Sequence, residues 1–148
     1  MRISFLAAAL IAAGLSAAHA GPLCDSVDNA ILLHTKAKPI QGTGTSGIFK
    51  LSHPAVTEMT LACPDTPGGR PALNLGYEGN PSPRFFALAS IAGSLAAGVR
   101  VPAIAIADCI QAAKTDPSGE ASRKAGKALI ECDALGPEES GVTISEDQ

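Results

Sequence analysis

The chain has 148 residues, of which 46% are hydrophobic and only 3% aromatic, and its formal net charge at pH 7 is −3. A mild acidic balance without a basic cluster argues against nucleic acid or an anionic membrane surface as the main partner. With one Tyr, four Phe and no Trp, the chain also offers few rings on which single-stranded nucleic acid could stack.

The first twenty residues, MRISFLAAALIAAGLSAAHA, have the organisation of a secretory signal peptide. Arg2 supplies the positive charge, and an apolar run follows it. Ala18, His19 and Ala20 form a cleavage motif of small residues. The apolar run is shorter than the roughly 20 residues that a transmembrane helix needs, and no second run of that length follows. We therefore predict cleavage after Ala20 and a periplasmic or secreted protein without a membrane span. An uncleaved N-terminal anchor is the alternative.

Residues 23–37, LCDSVDNAILLHTKA, have the apolar spacing of a helix that Pro39 ends. The predicted apolar face consists of Leu23, Val27, Ala30 and Ile31. The segment GTGTSG at 42–47 then matches the dinucleotide-binding pattern G-x-G-x-x-G letter for letter. That pattern binds a pyrophosphate where it follows a strand and opens a helix, whereas here it follows a helix and precedes a strand-like run. We interpret it as a flexible linker.

Three runs of alternating apolar and polar residues come next, and they predict an antiparallel meander. The runs are IFKLS, VTEMTLAC and ALNLGY. Each places its apolar side chains on one face with a period of two, as half-buried strands do. The joints SHPA and CPDTPGGRP are rich in turn-forming residues.

Two helices are predicted after the meander. Ser82 is a good N-cap with Pro83 at the first helical position, and this helix ends near Gly98. The second helix begins at about Pro102 and ends near Lys114. Its predicted apolar face consists of Ile106, Cys109, Ile110 and Ala113.

The C-terminal part divides into a strand and a tail. DPSG at 116–119 predicts a turn, and the alternation in KALIECDA predicts a last strand with Cys132 facing inward. The segment GPEESGVTISEDQ is polar and acidic, so we predict that residues 136–148 are disordered.

These elements predict an α+β fold. We expect a small two-layer domain in which an antiparallel sheet, a three-strand meander plus a C-terminal strand, has helices packed on one face. The predicted organisation is a signal peptide at 1–20, a single disulfide-stapled domain at 21–135 and an acidic disordered tail at 136–148.

The cysteines are predicted to form two disulfides. Four of them follow the predicted cleavage site, and an even number in an exported chain indicates disulfide bonds. They are far apart and their surroundings are apolar, which suits neither a reactive thiol nor a zinc site. Sequence does not choose among the three possible connectivities. The pairing that we favour, because it ties the sheet to the helices, joins Cys63 to Cys109 and Cys24 to Cys132.

Two polar loops are candidates for partner binding. The segment CPDTPGGRP is long, stiffened by prolines, and presents Asp65 and Arg70. The segment YEGNPSP, which we expect near it, offers Tyr77, Glu78 and Asn80. A plain hairpin connection is the alternative for the first loop.

The sequence predicts no catalytic residues, no metal site and no cofactor. His34 and His53 are the histidines that follow the predicted cleavage site. Their spacing from acids such as Asp25 and Asp28 is not that of a metal site. A G-x-S-x-G nucleophile motif is absent from the chain, because GTSGI lacks the last glycine.

We therefore expect an exported, small, non-catalytic binding or envelope-accessory protein that acts through an unknown protein or cell-envelope partner. One alternative is a periplasmic metal-binding protein that uses His34, His53 and nearby acids. Another is a compact hydrolase with one of these histidines as its base.

Overall fold

The computed structural model describes residues 21–41, 47–136 and 140–148. The predicted signal peptide, the first five residues of GTGTSG and residues 137–139 lie outside these ranges. The helices and strands in the described residues are α1 (Pro22–Thr35), β1 (Lys38–Pro39), β2 (Ile48–Ser52), β3 (Glu58–Ala62), β4 (Ala72–Tyr77), α2 (Pro83–Ala97), α3 (Ala103–Thr115), β5 (Glu120–Ala125), β6 (Ala128–Ala134) and β7 (Ser140–Glu146).

All of these strands belong to one antiparallel sheet with the order β1-β2-β3-β4-β7-β6-β5. The predicted meander is confirmed as β2, β3 and β4, in which Met59 lies opposite both Leu51 and Leu75. The predicted last strand is confirmed as β6, with Ile130 and Cys132 buried. The three helices pack on one face, so the predicted two-layer α+β fold is confirmed.

The prediction of a disordered C-terminal tail is wrong for residues 140–146. They form β7, which lies between β4 and β6 and pairs with both. The segment 136–148 is polar on average, but it contains a short run in which apolar and polar residues alternate. In that run Val142 and Ile144 point into the core, while Thr143 points to the other face. Two neighbouring strands and two buried side chains are what order this segment.

Two further strands were not predicted, because they lie at the edges of the sheet. Only Ala121 and Ala125 of β5 pack against the core, so its sequence EASRKA has almost no apolar signal. β1 contains only two residues, both exposed. Edge strands bury little side-chain area, and hydrophobic periodicity is correspondingly weak in them.

The helices close over the inner face of the sheet as their sequences predicted. The Ser82 hydroxyl accepts a hydrogen bond from the Phe85 amide at 3.2 Å, and Gly98 ends α2 with φ +72°. Gly93 lets α2 approach β7 closely, since a Cβ there would lie 2.5 Å from Cδ1 of Ile144. α3 lies over β5 and β6, and α1 packs against α2. No helix in the described ranges is long and apolar enough to cross a membrane.

Two disulfides are present, but the pairing that we favoured from the sequence is wrong. The bonds join Cys24 to Cys63 and Cys109 to Cys132, each with Cα atoms 5.9 Å apart. α3 lies directly over β6, so Cys109 meets the inward-facing Cys132. β3, which leads into Cys63, is separated from β6 by two other strands, whereas α3 lies over β5 and β6.

Candidate functional site

One face of the sheet carries no helix from the described ranges, and small polar side chains line it. The alternation that buries Leu73 and Leu75 turns Asn74 to this outer face. The same alternation operates in every long strand. One row of directly paired residues therefore crosses six strands, and it consists of Lys50, Thr60, Asn74, Thr143, Glu131 and Ser122. Near its middle the Thr143 hydroxyl donates a hydrogen bond to Asn74 Oδ1 at 2.8 Å.

A groove crosses the outer face beside this row, and two paired glycines form its floor. Gly76 of β4 lies opposite Gly141 of β7, so the floor has no side chain of its own. The Thr57 hydroxyl borders it, since a Cβ built on Gly76 would lie 2.8 Å from Thr57 Oγ1. The depression has a volume of about 470 Å³. Its residues are Thr57, Glu58, Asn74, Leu75, Gly76, Asp133, Leu135, Ser140, Gly141, Val142 and Thr143. Glycine inside a strand often marks such a close approach, because it leaves the backbone open.

A carboxylate stands at each end of the glycine floor. We call the depression that Glu58, Gly76, Gly141 and Asp133 define the outer groove. The two acidic residues lie three strands apart, which separates their Cα atoms by about 14 Å. The Asp133 carboxylate leans over Gly141, since a Cβ built there would lie 3.2 Å from its Oδ2.

A second depression of about 480 Å³ continues the outer face past Asp133. It is lined by Glu120 and Ser122 of β5 and by Glu131 and Asp133 of β6. The outer face is therefore strongly acidic around and beyond the groove, and this field favours a cationic ligand.

The predicted binding residues do not form one site, and Arg70 serves the fold. Its guanidinium donates from Nε to the Ala96 carbonyl at 2.9 Å and from Nη2 to the Leu95 carbonyl at 3.0 Å. These carbonyls are at the end of α2, where backbone acceptors have no helical partner. Arg70 thus joins the loop before β4 to the C-terminus of α2.

Tyr77 is also part of the core and not of an exposed loop. It is 3% exposed and packs edge-on against Phe85, with ring centroids 5.1 Å apart. Burial raises the pKa of its phenol above the ordinary value. Ser140 lies close enough to lower that pKa, although the two hydroxyls are not aligned for a regular hydrogen bond, and the charge of Asp133 raises it.

The other three predicted residues, Asp65, Glu78 and Asn80, are exposed. The Asn80 side chain accepts a hydrogen bond from Lys114 Nζ at 2.8 Å. The two loops lie at opposite ends of β4, so they are roughly 20 Å apart and not neighbours as we expected.

The outer groove escaped the sequence analysis because its residues come from four strands whose order the sequence does not reveal. One usable signal was Gly76, an unusual residue inside an otherwise strong strand pattern. The polar positions of the strands, Glu58 and Asn74 among them, looked like ordinary solvent-facing residues.

Neither histidine lines the outer groove, although His53 borders a neighbouring depression that shares Thr57 and Glu58 with it. His34 is exposed in the last turn of α1. His53 follows β2, where its Nδ1 accepts a hydrogen bond from the Ala55 amide at 3.1 Å. Across the described residues no three His, Cys, Asp or Glu side chains converge as metal ligands would. The alternative metal site and the alternative histidine-based hydrolase therefore gain no support from the geometry.

Comparison with known proteins adds no relative: no protein-family model, no curated protein and no solved structure matches this chain.

Proposed function

We propose that this chain is an exported, non-catalytic binding protein whose outer groove holds a basic, extended segment of a protein partner. The observation that carries the proposal is the outer face of the sheet, which no described helix covers and where a glycine floor lies between Glu58 and Asp133. The inner face is filled by helices, so the outer face is the large surface available for recognition.

The spacing of the carboxylates determines the kind of segment that fits. An extended chain advances about 3.4 Å per residue, so side chains four positions apart are separated by about 14 Å. A segment with Lys or Arg at positions i and i+4 would therefore place one cation at Glu58 and one at Asp133. The short residues between the cations would lie over Gly76 and Gly141.

The glycine floor is consistent with binding, although the Thr57 hydroxyl also crowds the position that a Cβ of Gly76 would take. Valine or threonine would suit strands β4 and β7 better than glycine does. Gly141 does not have a positive φ, so its backbone conformation does not require glycine. Glycine at this position leaves room on the outer face both for the Asp133 carboxylate and for a ligand above the floor.

The test uses a defined probe, a capped peptide with Lys at its first and fifth positions and Gly or Ser between them. In an NMR titration we expect the amide signals of Gly76 and Gly141 to shift, with an affinity in the millimolar range for so short a peptide. We expect the shifts to fall at about 0.5 M salt, because both contacts are exposed ion pairs.

Gly141→Val tests the groove itself. A side chain there would fill the floor beside the flexible Asp133 carboxylate, so we expect the variant to fold and to lose the peptide-induced shifts. Ser145→Val is the matched control, because it adds the same side chain to the same strand and face outside the groove. Equal binding by the two variants, or equal shifts with a peptide carrying Glu in place of Lys, would contradict the proposal.

Export is a separate part of the proposal, supported by the signal-like N-terminus and by the two disulfides. The intact mass of the protein recovered from the periplasm or the medium tests it. We expect a chain that begins at Gly21 and lacks four hydrogens because of its two disulfides. A chain that begins at Met1 and stays inside the cell would overturn this part.

A further inference from the structure

The two edges of the sheet are built differently. β1 forms one edge with only two residues, and Pro39 removes one of its backbone donors. β5 forms the other edge with six residues. Nothing in the described ranges pairs with the outer side of β5. A strand of this length presents a row of backbone donors and acceptors to which a further strand can bond.

The hydrogen-bond pattern shows which residues of β5 present these groups. In antiparallel pairs, hydrogen-bonded and non-hydrogen-bonded positions alternate along the strand. The Ala134 amide donates to the Gly119 carbonyl at 2.7 Å, so position 119 bonds to β6. The backbone groups of Glu120, Ser122 and Lys124 therefore point to the free edge. The Glu120 amide donates to the Ser118 hydroxyl at 3.2 Å, a bond that an incoming strand would replace. A side-chain contact supports this assignment: Arg123 Nη1 donates a hydrogen bond to the outward-facing Ser122 carbonyl at 2.8 Å.

We propose that β5 pairs with β5 of a second copy of this chain, antiparallel and about a twofold axis at Ser122. In this register Ser122 faces its own equivalent. Glu120 faces Lys124 of the second copy, and Lys124 faces Glu120 of the second copy. All three outward-facing residues then form hydrogen-bonded pairs, which makes six backbone hydrogen bonds. A pairing of identical surfaces of this kind closes as a dimer.

Charge selects this register over its neighbours. Glu120 and Lys124 both point to the outer face, so each end of the paired strands has an acid directly opposite a base. A shift by one residue would place outward-facing backbone groups opposite inward-facing ones. A shift by two residues would leave two hydrogen-bonded pairs and would separate the opposite charges. Lys124 already binds Asp147 at 2.6 Å, which holds its ammonium on this face.

The inner side of the edge is also complementary to the second copy. Arg123 of the second copy would lie opposite Ala121, beside a groove of about 410 Å³ that Thr115 and Asp116 line. This groove adjoins the C-terminus of α3, where backbone carbonyls and the Asp116 carboxylate favour a cation. The Ser122 carbonyl would accept a hydrogen bond from an amide of the incoming strand in place of the one that Arg123 now donates.

Sedimentation velocity on the purified oxidised protein tests the dimer, over about 5 to 500 µM because so small an interface is weak. We expect a concentration-dependent dimer. Glu120→Lys and Lys124→Glu each place like charges opposite each other twice, so each variant alone should dimerise about tenfold more weakly. An equimolar mixture of the two variants restores both opposite-charge contacts and should dimerise like the unchanged protein.

Asp65→Lys is the control, because it reverses an equal charge in the exposed loop before β4, away from β5, and should leave dimerisation unchanged. Hydrogen exchange gives a second readout that does not need a variant. The amides of Ser122 and Lys124 should gain protection with concentration, while those of Ala121 and Arg123 are protected by β6 throughout. A monomer at all concentrations, or variants that dimerise equally alone and mixed, would overturn the proposal.

Discussion

Arg70 is a residue in an exposed loop whose side chain serves a helix. The loop CPDTPGGRP carries it to the C-terminus of α2, where it donates to the carbonyls of Leu95 and Ala96. Hydrogen bonds from a charged donor stabilise more than neutral ones do. The loop is therefore held at both ends, by Arg70 and by the disulfide of Cys63.

Arg70→Met keeps most of the apolar stem and removes both hydrogen bonds. We expect the free energy of unfolding to fall by about 2 kcal/mol, measured by urea denaturation. Asp65→Asn is the control in the same loop, because Asp65 is exposed and its replacement should leave stability unchanged. Equal stability of the Arg70→Met variant and the unchanged protein would show that the α2 contact is unimportant.

Asp28 is an acidic residue on the buried side of α1. It is 8% exposed, and its Oδ1 accepts no hydrogen bond from the described residues. Burial is the main reason why its pKa is raised above the ordinary value, and the nearby charge of Asp25 raises it further. The folded protein therefore binds this proton more tightly than the unfolded chain does.

Because the folded protein holds this proton more tightly, its stability falls as the pH rises from about 4 to the pKa of the folded state. Above that pKa the stability does not fall further on this account. We expect Asp28→Asn to be more stable than the unchanged protein at pH 7 and to lose this advantage at pH 3. Urea denaturation at both pH values measures the difference. Asp108→Asn, on an exposed surface, should show no such dependence. An advantage for Asp28→Asn that is as large at pH 3 would contradict the role of the charge.

At the scale of elements, each disulfide joins a helix to a strand region of its own half of the chain. Cys24 ties the start of α1 to the end of β3, and Cys109 ties α3 to β6. The closed loops have sequence separations of 39 and 23 residues. In the chain-entropy account they stabilise by about 4 and about 3 kcal/mol.

Removing the second disulfide with Cys109→Ala and Cys132→Ala should lower the free energy of unfolding by about 3 kcal/mol, measured by urea denaturation. Both side chains are buried, so the small replacements leave α3 on β6 with reduced packing. The free energy of unfolding of the unchanged protein, measured with both disulfides oxidised, is the reference. Peptide mapping under non-reducing conditions should show the Cys24–Cys63 link in both proteins, and a Cys63–Cys109 link would contradict the structure.

At the scale of the whole molecule, β7 holds the two halves of the sheet together. β1 to β4 lie on one side of it, and β6 and β5 lie on the other. Its inner side chains, Val142 and Ile144, are 1% and 0% exposed, and Ile144 meets Gly93 of α2. The last strand of the chain is therefore central in space.

A chain that ends at Leu135 should fail to fold, because β4 and β6 would lose their shared partner and the core would lose two side chains. Circular dichroism and amide NMR dispersion measure this outcome. A chain that ends at Glu146 is the control, since it removes two residues beyond β7 and should fold. A folded protein that ends at Leu135 would restore the disordered-tail prediction.

Much of the fold was predictable from local patterns. Helix spacing and capping placed α1, α2 and α3, and alternation placed β2, β3, β4 and β6. The weakly apolar edge strands and β7 were missed because a few buried residues carry little periodic signal. The outer groove was not predictable, since Gly76 and Gly141 come together only through the pairing of β4 with β7.

The sequence by itself determined which face is buried in the helices and strands that it predicted, because that depends on periods of 3.6 and two residues. It also determined that four cysteines would form two disulfides. Only the tertiary structure decided which cysteines meet, where Arg70 bonds and which strand lies at the centre of the sheet. Those outcomes depend on strand order, and strand order follows from long-range packing that no local spacing encodes.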